Sequence, residues 1–538
     1  MTPATRRFTS AALALSALMV ATGARAQKVP KPDFKQYKRI HQKALDLIRT
    51  GQAETAVKFL AVVEAKLPQD AETQYMLAVA QCTLGQVDAA EASAAKALKL
   101  GLPVGRILGG SHNGLDAIRE RPLLRRLIRQ HGNTPVHGPM IGNLSGTRAT
   151  IWLRTAAAAI VQVEANTVPP TPAGIVTATV RTNREHDFVA KAILKNLKPR
   201  TKYAYTVAID GQKTRVETQQ FTTFSERGQT GKFRLAFGGG AGFVPQHEYV
   251  WNTIAATKPQ AVFQLGDNVY IDNTNVMDMH HYCYYRRQSR PEYRALVAGA
   301  SVFSIWDDHD FGTNDCSGGP EIETPGWKRP TYEIFRDNWA NPGYGGDDKQ
   351  PGIWWDSYIN DVHFICIDGR YYRTDPKKTK GELSILGPAQ KRWLFRTINR
   401  SKGTFKVLVS PVPWVFKAKG DSKDTWNGFK KERNEIFEFL TTNKVKGVVL
   451  MSADRHRSDL WKIDRSGDYA LYEFNSSRLT NQHVHKTMTE AVFSYNAKQS
   501  FGTVDFDTTA ADPTATYRIH TIDGEQVFEH TVKQSELD

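Results

Sequence analysis

From Lys232 onward one pattern recurs: a short apolar run, then at once a polar loop. Phe233–Phe237 leads to Gly238-Gly239-Gly240, and Ala261–Leu265 to Gly266-Asp267. Val302–Trp306 leads to Asp307-Asp308-His309-Asp310, and Val362–Ile367 to Asp368-Gly369-Arg370. Val407–Ser410 leads to Pro411, and Val448–Ser452 to Ala453-Asp454-Arg455-His456. Such runs are too short for helices and too apolar for half-exposed strands, so they read as buried strands. Pro388–Asn399 and Glu432–Asn443 have helical spacing. Buried strands alternating with helices predict a sheet covered by helices, with ligands beyond the carboxyl ends of the strands.

The acids and histidines fall at those ends. Three clusters stand out: Gly266-Asp267-x-x-Tyr270-x-Asp272, Trp306-Asp307-Asp308-His309-Asp310 and Ser452-Ala453-Asp454-Arg455-His456. Carboxylates gathered there repel one another unless cations neutralise them. Oxygen and imidazole donors suit iron, manganese, zinc or calcium. Two metal ions sharing one aspartate would polarise a phosphoryl group and activate water. A histidine free of metal would donate a proton to the phosphoryl or leaving oxygen. His309 and Asp307 are the catalytic candidates. Arg286, Arg287, Arg370, Arg373, Arg455 and Arg457 are candidate clamps for an anion. Arg370 and Arg455 rank first, because each directly follows a strand.

The chain has 538 residues and a formal charge of +16, which favours anionic partners. No zinc finger, aromatic single-strand platform or basic amphipathic helix points to nucleic acid, and no internal stretch is long enough to span a membrane. Arg6-Arg7, the apolar run Ala11–Ala21 and Ala24-Arg25-Ala26 predict a cleaved leader over 1–26 and a mature start at Gln27. Thr5-Arg6-Arg7-Phe8 resembles a twin-arginine signal, so either export route is open, and the place of action is periplasmic or extracellular. Losing the leader's three arginines leaves +13. Export permits disulfides, and Cys283 with Cys316 is a possible pair.

Residues 27–131 read as helical repeats. Ala44, Gly51 and Ala56 recur at one fixed interval as Ala78, Gly85 and Ala90, and the interval is that of tetratricopeptide repeats. Leu115–Gln130 is a candidate capping helix. The expected role is a protein-binding surface or a spacer, not chemistry. Residues 132–227 alternate like strands, and Leu194-x-x-Leu197-x-Pro199-x-Thr201-x-Tyr203-x-Tyr205 looks like a fibronectin type III edge turn. Residues 228–538 form the catalytic unit, its tail Phe501–Val532 completing the second sheet.

Gly266-Asp267-x-x-Tyr270, Trp306-Asp307-Asp308-His309 and Asp454-x-His456, in that order, resemble the alkaline phosphatase D-like metallophosphoesterases, over roughly residues 136–538. The resemblance implies a four-layer α/β/β/α catalytic fold related to purple acid phosphatases, a phosphate ester substrate, and iron and calcium as metals. It implies that Asp267 bridges two metals, Tyr270 ligates ferric iron, Asp308 holds the second metal and His309 stabilises the transition state. Asp454 and His456 would complete the shell, with Asn314 a further ligand. The family's cysteine ligand after the first strand is replaced by Gly238-Gly239-Gly240-Ala241-Gly242. That loop is a tight turn or a phosphate-binding set of amides, and Glu248 or His247 are candidates to replace the thiol. A hydrolase of phosphomonoesters or diesters is therefore expected. Alternatives are a cell-surface binding protein with a degenerate phosphoesterase domain, or a hydrolase of another ester such as a sulfate or lactone.

Overall fold

The computed structural model describes residues 29–214 and 219–538, so the expected export leader lies outside the described residues. Four helices come first: α1 (Tyr37–Arg49), α2 (Ala53–Lys66), α3 (Ala71–Thr83) and α4 (Val87–Lys99). α3 begins as far after α1 as α4 begins after α2, and that distance is the interval seen in the sequence. The period exists because the crossings need small residues, and Ala44, Ala56, Ala78 and Ala90 are wholly buried there. Gly51 and Gly85, at φ 79 and 71, close the two hairpins in a left-handed conformation. Asp70 caps α3 by accepting the Thr73 N–H at 2.9 Å. The expected capping helix is Pro122–His131, which buries Leu123, Leu124 and Leu127.

The next segment holds β1 (His137–Gly142), β2 (Arg148–Arg154), β3 (Ile160–Thr167), β4 (Val176–Arg181), β5 (Val189–Lys195), β6 (Lys202–Ile209), β7 (Gln212–Lys213) and β8 (Gln219–Thr222). In the turn between β5 and β6 the Lys198 N–H donates to Tyr203 Oη at 2.9 Å. The sandwich expected over 132–227 is not self-contained, however. β3, β4, β6, β7 and β8 form their own sheet, whereas β1, β2 and β5 join a sheet built mostly from later strands. The physical reason is β1, buried along its whole length, which pairs in parallel with β11 (Ser301–Ile305). An expected domain boundary thus runs through a shared sheet.

The rest of the chain adds β9 (Lys232–Gly238), β10 (Ala261–Leu265) and the β11 just described. It continues with β12 (Trp355–Ile359), β13 (Val362–Cys366), β14 (Phe405–Val409), β15 (Val448–Ser452), β16 (Ser458–Arg465), β17 (Asp468–Ser476) and β18 (Phe493–Tyr495). The tail contributes β19 (Ser500–Asp507), β20 (Thr514–Thr521) and β21 (Gln526–Lys533). These make two mixed sheets, ordered β21-β20-β19-β9-β10-β11-β1-β2-β5 and β12-β13-β14-β15-β17-β16-β18. The tail therefore joins the first sheet, not the second as its position in the sequence suggested: β19 pairs antiparallel with the free edge of β9.

The sheets pack face to face. Phe364 of the second sheet meets Phe263 and Phe233 of the first, at 4.7 and 6.3 Å between ring centroids. On the other face of the second sheet, Ile365, Leu408 and Leu450 pack on Leu394, Ile398, Ile436 and Leu440 from the helices Gly387–Arg400 and Lys430–Thr442. The outcome is helices outside and two sheets inside. At one rim the sheets touch through a bridge between Gly239 and Ser477. The carboxyl ends of β9, β10, β11, β15 and β17 converge there.

Candidate functional site

Each cluster sits where a strand stops. β10 and β11 run side by side, so Gly266 passes close to Asp307: an added Cβ would lie 2.6 Å from the Asp307 Cβ. Only glycine fits there, at φ 100. Asp267, Tyr270, Asp272, Asp454 and His456 have φ 53, 51, 55, 64 and 47. Left-handed backbone costs an L-residue about 1–2 kcal/mol, and such strain clusters where function demands a particular side-chain direction.

Asp267, Asp308 and His309 bring ligand atoms within 4.8 Å of one another. From the second sheet, His456 Nε2 lies 2.9 Å from Tyr270 Oη, and Asn481 Nδ2 donates to the same oxygen at 2.5 Å. Asp308, Asp315 and Asp424 form an adjoining acidic group, Asp308 accepting the Asp315 N–H at 2.6 Å. A cavity of about 570 Å³ opens onto Tyr270, Asp308, His309, Asn314, Asp454 and His456. That volume suits a small organic ligand, whose sites span roughly 300–1,000 Å³.

The electrostatics call for cations. Burial pushes the Asp267 carboxyl well above the usual range; Asp308, Asp307 and Asp310 add repulsion, and His309 opposes it. Asp267 Oδ1 is buried with no partner among the described residues, and so is His456 Nδ1. Burial alone would lower the His309 pKa, but Asp267, Asp308 and the hydrogen bond with Asp272 outweigh it and raise it to about 10. Burial also opposes ionisation of Asp454, yet Lys419 and Arg455 hold its carboxyl well below the usual range. The residues present fit metal ions: convergent oxygen and nitrogen donors, several orphaned, in a buried field of like charge.

Some sequence-based roles need correction. Arg370 is fully buried and does not reach the cavity. Its Nε donates to Asp307 at 2.5 Å, and its Nη1 to Asp424 at 2.7 Å and the Cys316 carbonyl at 3.2 Å. It neutralises Asp307 and Asp424, stands 3.9 Å from Asp308, and is turned away from the cavity. Asp307 is its partner and the N-cap of the short helix Asp308–Phe311, in a reciprocal capping box with Asp310. Asp307 is therefore also behind the pocket wall, not in it. Arg455 is buried, with Nη1 3.1 Å from Asp454, and does not line the cavity either. Asn314 is exposed at the mouth.

The thiol's place is filled by no ligand. Glu248 is buried against Arg287 at 2.7 Å and Trp251 at 2.9 Å, and His247 Nδ1 donates to the Thr480 carbonyl at 3.0 Å. The glycine loop is a close-packed turn: a Cβ on Gly239 would lie 2.8 Å from that of Ala453. The amides of Gly239 and Ala241 bond to the carbonyls of Ser476 and Asp267 and are not available to phosphate. All four cysteines are free thiols, so Cys283 and Cys316 are not paired.

The helical segment also departs from its expected role, for its first helix is part of the site. Lys38 and Arg39 line the cavity, Arg39 pairs with Asp272, and Asp272 holds His309 Nδ1. Sequence reasoning assigned no role to Asp272, although it stood in the first cluster, and missed Lys38, Arg39, Lys419 and Asn481. Asn481-x-His483-x-His485 after β17 was the one readable signal, three polar side chains at alternate positions.

Comparison with known proteins places this architecture. A family model for PhoD-like phosphatases matches residues 235–525, and one described as a domain of unknown function (DUF7800) matches 133–226. Alkaline phosphatase D of Bacillus subtilis (strain 168) is 25% identical in an alignment 319 positions long that covers 48% of this chain and 54% of that protein. The chain thus spans about half the length of this curated relative. The solved structure of PhoD superposes with a TM-score of 0.60 at 16% identity, over 73% of this chain and 88% of that one. The purple acid phosphatase PPD1 from yellow lupin (Lupinus luteus) seeds gives 0.54 at 12% identity, over 74% and 75%. These two structures share the fold. With the family model covering more than half of its residues, the chain belongs to the PhoD-like phosphatase family.

Proposed function

We propose that this protein is an exported, metal-dependent hydrolase of phosphate esters. The observation that carries the reading is Asp267: a buried carboxylate with an orphaned oxygen, facing Asp308 and His309 at the end of the first sheet. Asp267, Tyr270, Asp308, Asp454 and His456 would hold two metal ions, with Asn314 at the rim. Bound there, the metals would supply Lewis-acid polarisation of the phosphoryl group and an activated water. The donors are oxygen and nitrogen only, which suits calcium, manganese, zinc or iron without a thiolate.

The chain's own contribution is proton and charge placement. Asp272 engages His309 Nδ1, so Nε2 is the nitrogen free to donate. The bond to Asp272 favours the protonated ring, as a donor to phosphoryl or leaving oxygen requires. Tyr270 stacks on the His309 ring at 4.3 Å between centroids and limits its rotation. Lys419, 3.4 Å from Asp315 and 3.3 Å from Asp424, adds positive charge at the mouth.

The test is metal analysis of the purified protein together with hydrolysis of p-nitrophenyl phosphate and bis(p-nitrophenyl) phosphate. Bound metal with turnover of either ester supports the reading. Absence of both would sink it, in favour of a binding protein with a degenerate site. Export rests on residues 1–26, and cell fractionation with amino-terminal sequencing tests it. A mature protein beginning at Met1 in the cytoplasm would contradict it.

A further inference from the structure

Lys38 has no role in the chemistry above, yet it lies at the site. It belongs to the first turn of α1 and lines the cavity with Tyr270, Asp308 and His309. Its ammonium stands 3.7 Å from the centroid of the Tyr270 ring. Arg39 and Lys419, the neighbouring cations, are committed to Asp272 and to Asp315 with Asp424. Lys38 has no ion pair or hydrogen bond among the described residues beyond its own helix, only the ring contact.

Its position is fixed by several contacts. Gln42, one turn further along α1, donates to the Tyr270 carbonyl at 2.7 Å and to Cys283 Sγ at 3.1 Å. Arg39 pairs with Asp272 on the same loop. Tyr37 packs on Phe243, ring centroids 6.5 Å apart. The glycine loop leaves space for the lysine: a Cβ on Gly242 would come within 3.2 Å of Lys38 Nζ. The helix is thus seated on the catalytic loops with one unpaired amine aimed into the pocket.

We propose that Lys38 binds a non-bridging phosphoryl oxygen of the substrate, making the amino-terminal helical segment one wall of the catalytic pocket. This rests on the phosphoesterase reading above. An ammonium offers three donors on a flexible stem and follows a phosphoryl group as a point charge. A ring face and a half-buried setting strengthen its attraction to an arriving anion. Lys38 is a binding residue here and holds no metal, because an ammonium has no lone pair to give.

The experiment compares wild type with Lys38→Gln and Lys38→Arg in the full metal-loaded protein. Inorganic phosphate is the probe, titrated calorimetrically and as a competitive inhibitor of p-nitrophenyl phosphate hydrolysis. Losing one charged hydrogen bond should weaken phosphate binding by about tenfold or more in Lys38→Gln. Lys38→Arg should recover most of it, with metal content and thermal midpoint unchanged in both. Equal phosphate affinity in wild type and Lys38→Gln would overturn the proposal and leave the phosphoesterase reading intact. A metal-loaded wild type that neither binds phosphate nor hydrolyses esters would overturn both. Lost metal in Lys38→Gln would also overturn it, by making the side chain structural.

Discussion

Replacing Arg370 with methionine should unfold the protein more readily without altering substrate recognition. Arg370 is the charge partner that touches Asp307, at 2.5 Å, in a region closed to solvent. Asp424 also keeps Arg373, at 3.1 Å, and Lys419. Asp307 would therefore become the uncompensated buried charge. Breaking a buried pair from one side destabilises by about 3–5 kcal/mol. Unfolding entropy near 2.1 cal/mol/K per residue over a unit of roughly 300 residues converts that to a fall of about 5–8 °C in Tm. Differential scanning calorimetry or a urea titration measures it. The loss has a pH signature. Burial already raises the Asp307 carboxyl above its usual range while Arg370 pulls it down. Without the arginine it rises further, protonates more readily and ceases to need a partner. The deficit should thus be large at pH 8 and shrink as pH falls towards 5. Arg370→Met with Asp307→Asn should recover most of it, because replacing both partners removes the orphan. An unchanged Tm with KM raised tenfold at constant kcat would refute this reasoning and restore Arg370 as a substrate clamp.

Asp267→Asn should lose most bound metal by elemental analysis, whereas His309→Ala should lower kcat by roughly 10²–10⁴ and keep nearly all of it; metal lost from His309→Ala would make it a ligand. Arg39→Ala frees Asp272, so it should reduce kcat more than KM and shift the basic limb of the pH–rate profile; an unchanged profile would separate α1 from His309. Asp70→Ala removes the cap of α3 together with the hydrogen bonds from Tyr37 and His41, at 2.6 and 2.9 Å, and should destabilise the helical segment by about 2 kcal/mol, read from urea midpoints. Burial opposes ionisation of Asp70, but His41, Thr73 and Tyr37 hold its carboxyl well below the usual range. Its contribution is therefore present above about pH 4 and lost as pH falls through the lower folded value, so the gap between Asp70→Ala and wild type should close in acid.

What could be read from the sequence was whatever a strand announces locally. β10 and β15 have the bounds of the runs Ala261–Leu265 and Val448–Ser452, because burial on both faces keeps nearly every position apolar; Gln264, the exception inside β10, is satisfied by donating to Tyr293 Oη at 2.9 Å. Asp267, Asp308, His309, Asp454 and His456 were legible for the same reason: each follows a strand end, where ligands gather. Arg370 follows a strand end too, and there the rule misled. Position along the chain gives the rim of the sheet but not the direction of a long side chain, and this one turns inward to Asp307 and Asp424. Pairing across the chain was equally hidden. β1 joins β11, and β19 joins β9, because those edges offer unpaired hydrogen-bonding groups, and an edge has no local signature.

The helical segment shows the limit most clearly. Its period identifies hairpins and places small residues at their crossings, since both are repeats of one local geometry. Periodicity is silent about the residues that break it. Lys38, Arg39 and Gln42 occupy α1, and their counterparts one repeat later, Glu72, Thr73 and Met76, face different surroundings inside the segment. Glu72 pairs with Arg106 and Met76 is wholly buried, while Gln42 and Arg39 reach Tyr270 and Asp272, far along the chain. A repeat that served only as a spacer would have no reason to set two basic side chains and an amide on a helix that meets the catalytic loops. The departure from the repeat, not the repeat itself, carries the functional information, and it points into the pocket beside His309.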